Sequence, residues 1–354
     1  IKSRNNDEKL IIIVSALNGV TNDLYKLADL SAKGDHIITQ FDLIFLKHIK
    51  CIEELSIDSR NFLLTVNKYF DQLKDDLSLI NKKQKLSLKS LDKIYSYGEL
   101  LSASILAKYL SSVEIKSDML DSRLVVKTNN NYGFAEVQFE KTYDNIKKYF
   151  NNVEILQIVT GFIGSTENNE TTTIGRNGSD YTASLFGAAM NAKQIEIWTD
   201  VNGVYSANPN IIRNAKVIPF LNYEEAMELA HAGAEILFPP TIIPALSRNI
   251  PIRVKNTFKP NETGTFISID RKRNDNNVVG VSSLSNISLV RLQGAGMVGM
   301  KGLIARIFSV LAEKDINIIL VAQSFSEHSI CFAINPESVD GALKILKFEL
   351  GNQF

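Results

Sequence analysis

The sequence predicts an α/β protein in two parts, an open sheet sandwiched by helices followed by a smaller ferredoxin-like α+β module. The first observation is that short β-branched runs alternate with long amphipathic segments over residues 1–269. The second is a polar stretch at residues 270–284, which includes a charged run at 271–273. The third is a βαββα order after it. We therefore predict domains at 1–269 and 285–354, joined by a linker at 270–284.

The larger domain opens with a predicted strand at residues 10–14, because five consecutive apolar, mostly β-branched residues are typical of a strand buried on both faces. Leucine, isoleucine, lysine and aspartate at helical spacing predict helices within 41–79 and over 87–110. Further strands are predicted at 113–116, 124–127, 153–159, 194–198 and 252–254, and helices at 181–191 and 223–231.

The smaller domain is predicted to contain a strand at 286–292, a helix at 302–313, strands at 317–321 and 329–334, and a helix at 339–348. This order matches most of a ferredoxin-like module that lacks its last strand. Only about 70 residues follow the linker, so we expect one such unit.

Composition limits the classes of function. The 39 basic and 39 acidic residues cancel, which argues against general electrostatic attraction to nucleic acid or to an anionic membrane. Two distant cysteines and four scattered histidines predict neither a disulfide framework nor a metal site, and a reducing cytoplasm fits best. We find no apolar run near the roughly 20 residues of a membrane span and no signal-peptide core. Because the chain starts without methionine, we expect a segment upstream.

The glycine-rich stretch 161–181 carries the strongest chemical signal. Four glycines let backbone amides approach a ligand, and a helix predicted to start near Ser179 would present its positive end. Arg176 adds a planar donor fork, and Asp180 adds a carboxylate. Together the two could bind both charges of a zwitterionic amino acid. The alternative is a glycine-rich connection in which Ser179 caps the helix and the charged pair lies on the surface.

This stretch resembles the aspartokinase signature, in its Gly161-Phe162 opening, its threonine run and its Gly175–Tyr181 ending. The resemblance extends from residues 14–21 through the loop at 294–302, and the last 70 residues resemble an ACT amino-acid-sensing domain. It implies an amino-acid-kinase fold and transfer of phosphate from ATP, with Mg²⁺, to the side-chain carboxylate of L-aspartate. Phosphoryl transfer needs in-line positioning and charge stabilisation more than covalent help from the protein.

The resemblance implies roles for individual residues. Ser15 and Thr21 would hold aspartate and phosphate, Glu99 the substrate ammonium, and Arg176 the α-carboxylate. Phe162 would wall the pocket. The aspartate-site residues are Ser15, Thr21, Glu99, Phe162, Arg176, Gly178, Ser179 and Asp180, and the nucleotide-site residues are Thr199, Asp200, Tyr205 and Ile236. The alternatives are helix capping at Asn18 or Thr21, a solvated helical Glu99, and a simple Asn-Gly turn after residue 201.

An effector site is implied in the ACT-like part, with threonine as the expected inhibitor and lysine as the runner-up. Its predicted residues are Met300, Lys301, Gly302, Leu303, Asn317, Ile318 and Gln323. Tight packing is the alternative for the glycine-rich loop that contains Met297 and Met300. Because ACT modules usually pair, a homodimer or higher homo-oligomer is expected.

Three departures from the family pattern leave other functions open. The opening Lys-Phe-Gly-Gly-Thr-Ser segment is not among these residues, Asn210 stands where a basic residue is usual, and Glu235 stands where a lysine is usual. A catalytically impaired amino-acid-sensing fragment, or another amino-acid or carboxylate kinase of this fold, therefore remains an alternative. The pattern is most similar to the kinase half of bifunctional aspartokinase-homoserine dehydrogenases. No dehydrogenase activity is assigned to these residues.

Overall fold

The computed structural model describes residues 9–57, 60–231, 239–270, 278–294, 297, 299–324 and 328–350. Two compact units divide between Ser282 and Ser283. The predicted Ile236, Glu235 and residues 271–277 of the predicted linker lie outside the described residues.

The first part of the larger unit is a parallel sheet under helices. Its strands are β1 (Ile11–Val14), β2 (Ser117–Leu120) and β3 (Leu156–Thr160), in the order β1-β3-β2. Its helices are α1 (Val20–Lys33), α2 (Ile38–Glu54), α3 (Arg60–Lys83), α4 (Leu88–Ser112) and α5 (Phe139–Phe150). Successive residues of β1 pack on opposite faces, Ile12 on the α4 side and Ile13 on the α5 side. The strand therefore packs on both faces, but its four residues are only half-buried because it lies at the edge of the described sheet.

Beyond β3 the chain forms a hairpin, a helix and a second sheet. The hairpin is β4 (Ile163–Ser165) with β5 (Thr171–Thr173), and α6 (Gly178–Met190) follows. The second sheet is mixed, in the order β6-β8-β9-β7. Its elements are β6 (Ile195–Thr199), β7 (Phe220–Asn222), α7 (Tyr223–His231), α8 (Pro239–Ser247), β8 (Ile252–Asn256) and β9 (Thr265–Ser268). Among the described strands of this unit, the predicted sheet thus consists of a three-stranded and a four-stranded sheet, beside the two-stranded hairpin.

The smaller unit has the predicted βαββα order. It contains β10 (Ser288–Gln293), α9 (Leu303–Ala312), β11 (Leu320–Gln323), β12 (Ser329–Ile334) and α10 (Val339–Leu350). The antiparallel order β10-β12-β11 leaves β11 at an edge. Its core gathers Ile307, Leu311 and Phe332, none of them more than 1% exposed.

Two strand predictions are wrong, for the same physical reason. At residues 113–116 the amides of Val113 and Ile115 close the end of α4, by bonding to carbonyls such as that of Leu110. The strand starts only at Ser117. At 124–127 a 3₁₀ turn, Ser122–Leu124, takes the first position, with the Asp121 carboxylate accepting the Arg123 amide at 3.0 Å, and Lys127 forms only an isolated bridge to Ser165. In both places local bonds to the backbone outcompete alternating hydrophobicity.

Candidate active site

The turn from β1 into α1 carries the first predicted pair. Ser15 is exposed directly after the strand, and Thr21 is half-buried in the first turn of α1. The helix starts from Gly19, whose φ of 79° lies in the left-handed region that suits glycine, and no side chain caps it. Capping by Asn18 or Thr21 therefore does not explain these residues.

Glu99 is not a solvated helical glutamate. Its side chain, on α4, is 3% exposed and accepts a bond from the Ala16 amide, while its Oε2 atom has no hydrogen-bond partner among the described residues. Burial raises the pKa of the Glu99 carboxyl to about 8, and the Ala16 amide opposes that rise. A buried carboxylate with one unsatisfied oxygen costs free energy unless a cationic ligand compensates it.

Gly98 explains how α4 reaches this turn. A Cβ atom on Gly98 would lie 2.8 Å from the Ala16 Cβ atom and 3.3 Å from Leu24 and Val20. The missing side chain lets α4 press against the start of α1. Gly98 and Glu99 therefore act together: Gly98 permits the close approach of α4 to α1, and at that distance Glu99 accepts the bond from the Ala16 amide.

Phe162 sits in a strained turn after β3. Its φ is 65°, and the Ile163 amide donates to the Gly161 carbonyl at 2.7 Å, which closes a γ-turn around a residue that is not glycine. The Phe162 ring is half-buried and lies 6.0 Å from the Tyr95 ring, centroid to centroid. Tyr95, which the sequence did not single out, therefore lies beside Phe162, whose role as a pocket wall stays a prediction.

The start of α6 carries the remaining aspartate-site residues. Its N-cap is Asn177, with a φ of 53° and no side-chain cap, so Ser179 is not the cap. Gly178 is buried, Ser179 and Asp180 are half-buried, and Arg176 is exposed in the preceding turn. Burial raises the pKa of the Asp180 carboxyl to about 6, even though a helix N-terminus favours the charged form.

These parts converge through close backbone contacts. The Gly161 amide donates to the Val14 carbonyl at 2.8 Å, which joins the carboxyl ends of β1 and β3. A Cβ atom on Gly161 would lie 2.4 Å from the Ser179 Oγ atom, and one on Gly178 would lie 2.6 Å from the Phe162 ring. The ends of two parallel strands, the α6 N-terminus and Glu99 thus share one edge, where open α/β sheets bind ligands.

The predicted nucleotide loop follows β6 on the second sheet. Thr199 is half-buried and donates to the exposed Asp200 at 3.2 Å, and Tyr205 is half-buried. The loop is held by Asn256, whose amide donates to the Asp200 carbonyl at 3.1 Å and to Asn202 at 2.7 Å. The loop is therefore braced by a distant side chain and is more than a simple Asn-Gly turn. Sequence reasoning did not identify Asn256 as the residue that supports it.

In the smaller unit the predicted effector residues differ in exposure. Met300, Lys301 and Gly302 are exposed before α9, and Asn317 and Gln323 are also exposed. Ile318 is half-buried. Leu303 is 6% exposed in the core, so only its backbone could meet an effector.

Sequence reasoning missed two polar residues, a buried aspartate on α4 and a lysine on α2 that supports the turn before α1. The Asp92 carboxylate on α4 is fully buried and accepts bonds from the amides of Gly133 at 2.9 Å and Thr173 at 3.1 Å, and from the Thr173 hydroxyl at 2.7 Å. It fixes α4 to β5. Lys47 on α2 donates to the Asn18 carbonyl. Its spacing on an ordinary amphipathic helix gave no signal.

A cavity of about 320 Å³ between α3 and α4 contains none of the predicted site residues. Its Asp76 carboxylate already accepts bonds from Tyr97 at 2.6 Å and Lys93 at 2.7 Å. No group of three or more metal-binding side chains occurs among the residues that the structure describes. Within the same residues, no helix is long and apolar enough to cross a membrane.

Known proteins match both units. Residues 1–256 match the amino acid kinase family, and residues 290–350 match an ACT domain. The chain is 32% identical over 353 residues to the chloroplastic bifunctional aspartokinase/homoserine dehydrogenase 2 of Arabidopsis thaliana, covering 97% of this chain and 38% of that protein. It thus spans less than half the length of the bifunctional relatives that it matches.

Two solved structures are also similar. One is the aspartate kinase of Clostridium acetobutylicum, with 28% identity and a TM-score of 0.76 over 98% of this chain and 76% of that one. The other is E. coli aspartokinase III in complex with lysine and aspartate, with 26% identity and a TM-score of 0.75 over 96% and 76%. By its match over most of its length, this chain belongs to the amino acid kinase family and carries an ACT domain behind the kinase domain.

Proposed function

We propose that this chain is the kinase part of an aspartokinase, which transfers the γ-phosphoryl group of MgATP to the side-chain carboxylate of L-aspartate. The observation that carries the proposal is the buried Glu99 carboxylate with an unsatisfied Oε2 atom at the joined ends of β1 and β3. An α-ammonium group would satisfy that oxygen and restore the charge that burial suppresses. The product is the acyl phosphate of the first step towards lysine, threonine and methionine.

The other residues fit the rest of an amino-acid substrate. Arg176 offers a planar fork for the α-carboxylate, and the Phe162 and Tyr95 rings wall the pocket. The amides at the start of α6 and the turn after Ser15 suit the negative charge of the side-chain carboxylate and of the transferred phosphoryl group. Asp180 would orient the substrate or the cation that accompanies the nucleotide.

The nucleotide is proposed to bind over Thr199, Asp200 and Tyr205, on the loop that Asn256 braces. The substrate oxygen attacks the γ-phosphorus in line and ADP leaves, so positioning is the main contribution of the protein. Mg²⁺ enters with the nucleotide and would neutralise charge on its phosphates. We further propose a cytoplasmic location, from the two unpaired cysteines.

The test is ATP-dependent formation of aspartyl hydroxamate, in which hydroxylamine traps the acyl phosphate. We expect product with L-aspartate, little with L-glutamate, and only background with Asp180→Ala. Equal or better turnover of glutamate would favour another carboxylate kinase of this fold. Aspartate binding without product would favour the amino-acid-sensing alternative.

Regulation is proposed to pass through the ACT domain, with threonine as inhibitor and lysine as the second candidate. Gln323 lies exposed on the edge strand β11, where its amide can both donate and accept. We expect Gln323→Ala to lose inhibition and keep activity, since an effector shifts the substrate equilibrium only through contacts it makes. Unchanged inhibition curves would remove Gln323 from the effector site.

A further inference from the structure

The turn that brings the Ala16 amide to Glu99 receives support from a second helix. Lys47 on α2 donates from its Nζ atom to the Asn18 carbonyl, and the same atom lies 3.9 Å from the Asp23 carboxylate. The Gln40 amide, also on α2, donates to that carboxylate at 3.3 Å. The first turn of α1 is thus held from one side by α2.

Side-chain capping cannot hold this turn, because α1 starts at Gly19 without a side-chain cap. Glycine is also the residue whose backbone is easiest to move. In a trans peptide the carbonyl and the following amide point in opposite directions, so holding the Asn18 carbonyl fixes the direction of the Gly19 amide. A lysine near a helix N-terminus works against the helix dipole, so its charge there needs a compensating contact. For Lys47 that compensating contact is made with the Asn18 carbonyl and the Asp23 carboxylate.

On its other side the same turn meets α4. The Ala16 amide bonds to Glu99, and Gly98 packs on Ala16. The turn is therefore clamped between Lys47 of α2 and the Gly98-Glu99 pair of α4.

We propose that Lys47 is a positioning residue for substrate binding, which fixes the turn at residues 15–19 so that Ser15 and the Ala16 amide keep their places beside Glu99. The proposal rests on the proposed function for its kinetic consequences. Its structural part, a turn held by Lys47, stands independently of activity. Lys47 acts through the turn and needs no contact with substrate.

The test compares Lys47→Met, which keeps length and apolar bulk, with Lys47→Arg, which keeps a donor and the charge. Lys50→Met is the matched control, since Lys50 lies on the same helix, is 75% exposed, and pairs with Glu54 at 3.7 Å. We expect Lys47→Met to raise the KM for L-aspartate about tenfold, as for loss of one charged hydrogen bond, with kcat within about twofold. The arginine variant should recover most of the affinity.

Amide hydrogen exchange over residues 14–22 gives a readout that does not need activity. Faster exchange there in Lys47→Met, with an unchanged melting temperature and unchanged exchange in Lys50→Met, is the expected result. If wild-type protein makes no aspartyl phosphate, the proposed function fails while the exchange experiment still decides on the turn. Exchange and KM equal to those of Lys50→Met would overturn the proposal. So would faster exchange with an unchanged KM.

Discussion

Burial of the Glu99 carboxyl costs free energy in the folded protein, and the same carboxyl is suited to bind an ammonium group. The carboxyl is buried beside the Ala16 amide, and its pKa is raised to about 8 from an ordinary value of 4.5. In the free protein at pH 7 it is therefore mostly protonated. Binding of an ammonium group favours the ionised form, so substrate binding should release a proton.

The first prediction concerns this linkage. Aspartate affinity should rise between about pH 6 and pH 8 in the wild-type protein, and the rise should disappear in Glu99→Gln, which should also bind about thirtyfold more weakly at pH 8. Calorimetry in phosphate and Tris buffers measures the proton release directly. Because Asp180 also has a raised pKa, of about 6, Asp180→Asn serves as the comparison. If the affinity of Glu99→Gln still rises with pH, the proton that is released belongs to another group.

His48 is a second buried group with a pH consequence, this time on stability. It is fully buried on α2, its Nδ1 atom lies 2.7 Å from the Ile44 carbonyl, and its Nε2 atom has no hydrogen-bond partner among the described residues. Burial lowers its pKa below the ordinary 6.5, and nearby Lys47 adds to the effect. The unfolded chain therefore binds a proton in a pH range where the folded protein does not.

The second prediction follows from this difference in proton binding between the unfolded and the folded protein. As pH falls below 6.5 towards the lowered folded value, stability should decline by up to about 1.4 kcal/mol per pH unit from this group alone. His48→Leu should remove that part of the decline, as measured by urea unfolding at pH 7.5 and 5.5. His36→Gln, at an exposed site, is the control and should leave the decline unchanged. If His48→Leu loses as much stability as the wild-type protein between pH 7.5 and 5.5, His48 is not the source of the decline.

At the scale of elements, the site depends on how closely α6 approaches the end of β3. Gly161 makes this possible, since any Cβ atom there would overlap Ser179, including its backbone Cα atom at 2.8 Å. The Ser179 side chain thus packs directly on the Gly161 backbone, which joins the strand end to the helix N-terminus. A larger residue must therefore displace the helix start.

The third prediction uses this contact. Gly161→Ala should lower kcat/KM for aspartate by about a hundredfold, because a shift of about 1 Å in a positioning element has effects of that order. The control is Gly341→Ala on α10, where an added Cβ atom would meet nothing within 4 Å. Steady-state kinetics measure both. Near-normal kinetics in Gly161→Ala would show that the α6 start tolerates displacement.

Elements also show where sequence patterns stop being informative. Strands β1 and β12 and helix α7 lie where the hydrophobic pattern predicts them. The hairpin β4-β5 was hidden within the glycine-rich stretch, because each strand is only three residues long, Ile-Gly-Ser in β4 and three threonines in β5. The strand predicted at 113–116 failed because the end of α4 takes its amides. Short elements are decided by hydrogen-bond competition, which composition does not encode.

At the scale of the whole molecule, the smaller unit has an unprotected edge. All four residues of β11 are exposed, including Leu320 at 56% and Val321 at 47%. An exposed apolar edge strand presents free backbone groups and apolar side chains to another chain. This supports the predicted homodimer through the ACT domain.

The fourth prediction tests that edge. The double variant Leu320→Lys with Val321→Lys should dissociate a dimer, because charge on an edge strand opposes pairing. Sedimentation velocity measures the mass. Leu289→Lys, more exposed at 68% but on the opposite edge strand β10, is the control and should stay dimeric. A dimer that survives the double variant would place the interface elsewhere.

The sequence by itself determined the α/β class and the βαββα order of the second unit, and it predicted the aspartate-site residues. It did so because periodicity and a long motif are local properties of the chain. Only the tertiary structure decided that Glu99 is buried with an unsatisfied oxygen, that Tyr95 joins Phe162, and that Asn256 and Lys47 brace the two loops. Burial and bracing depend on residues far apart in sequence, and no local pattern records which of them meet.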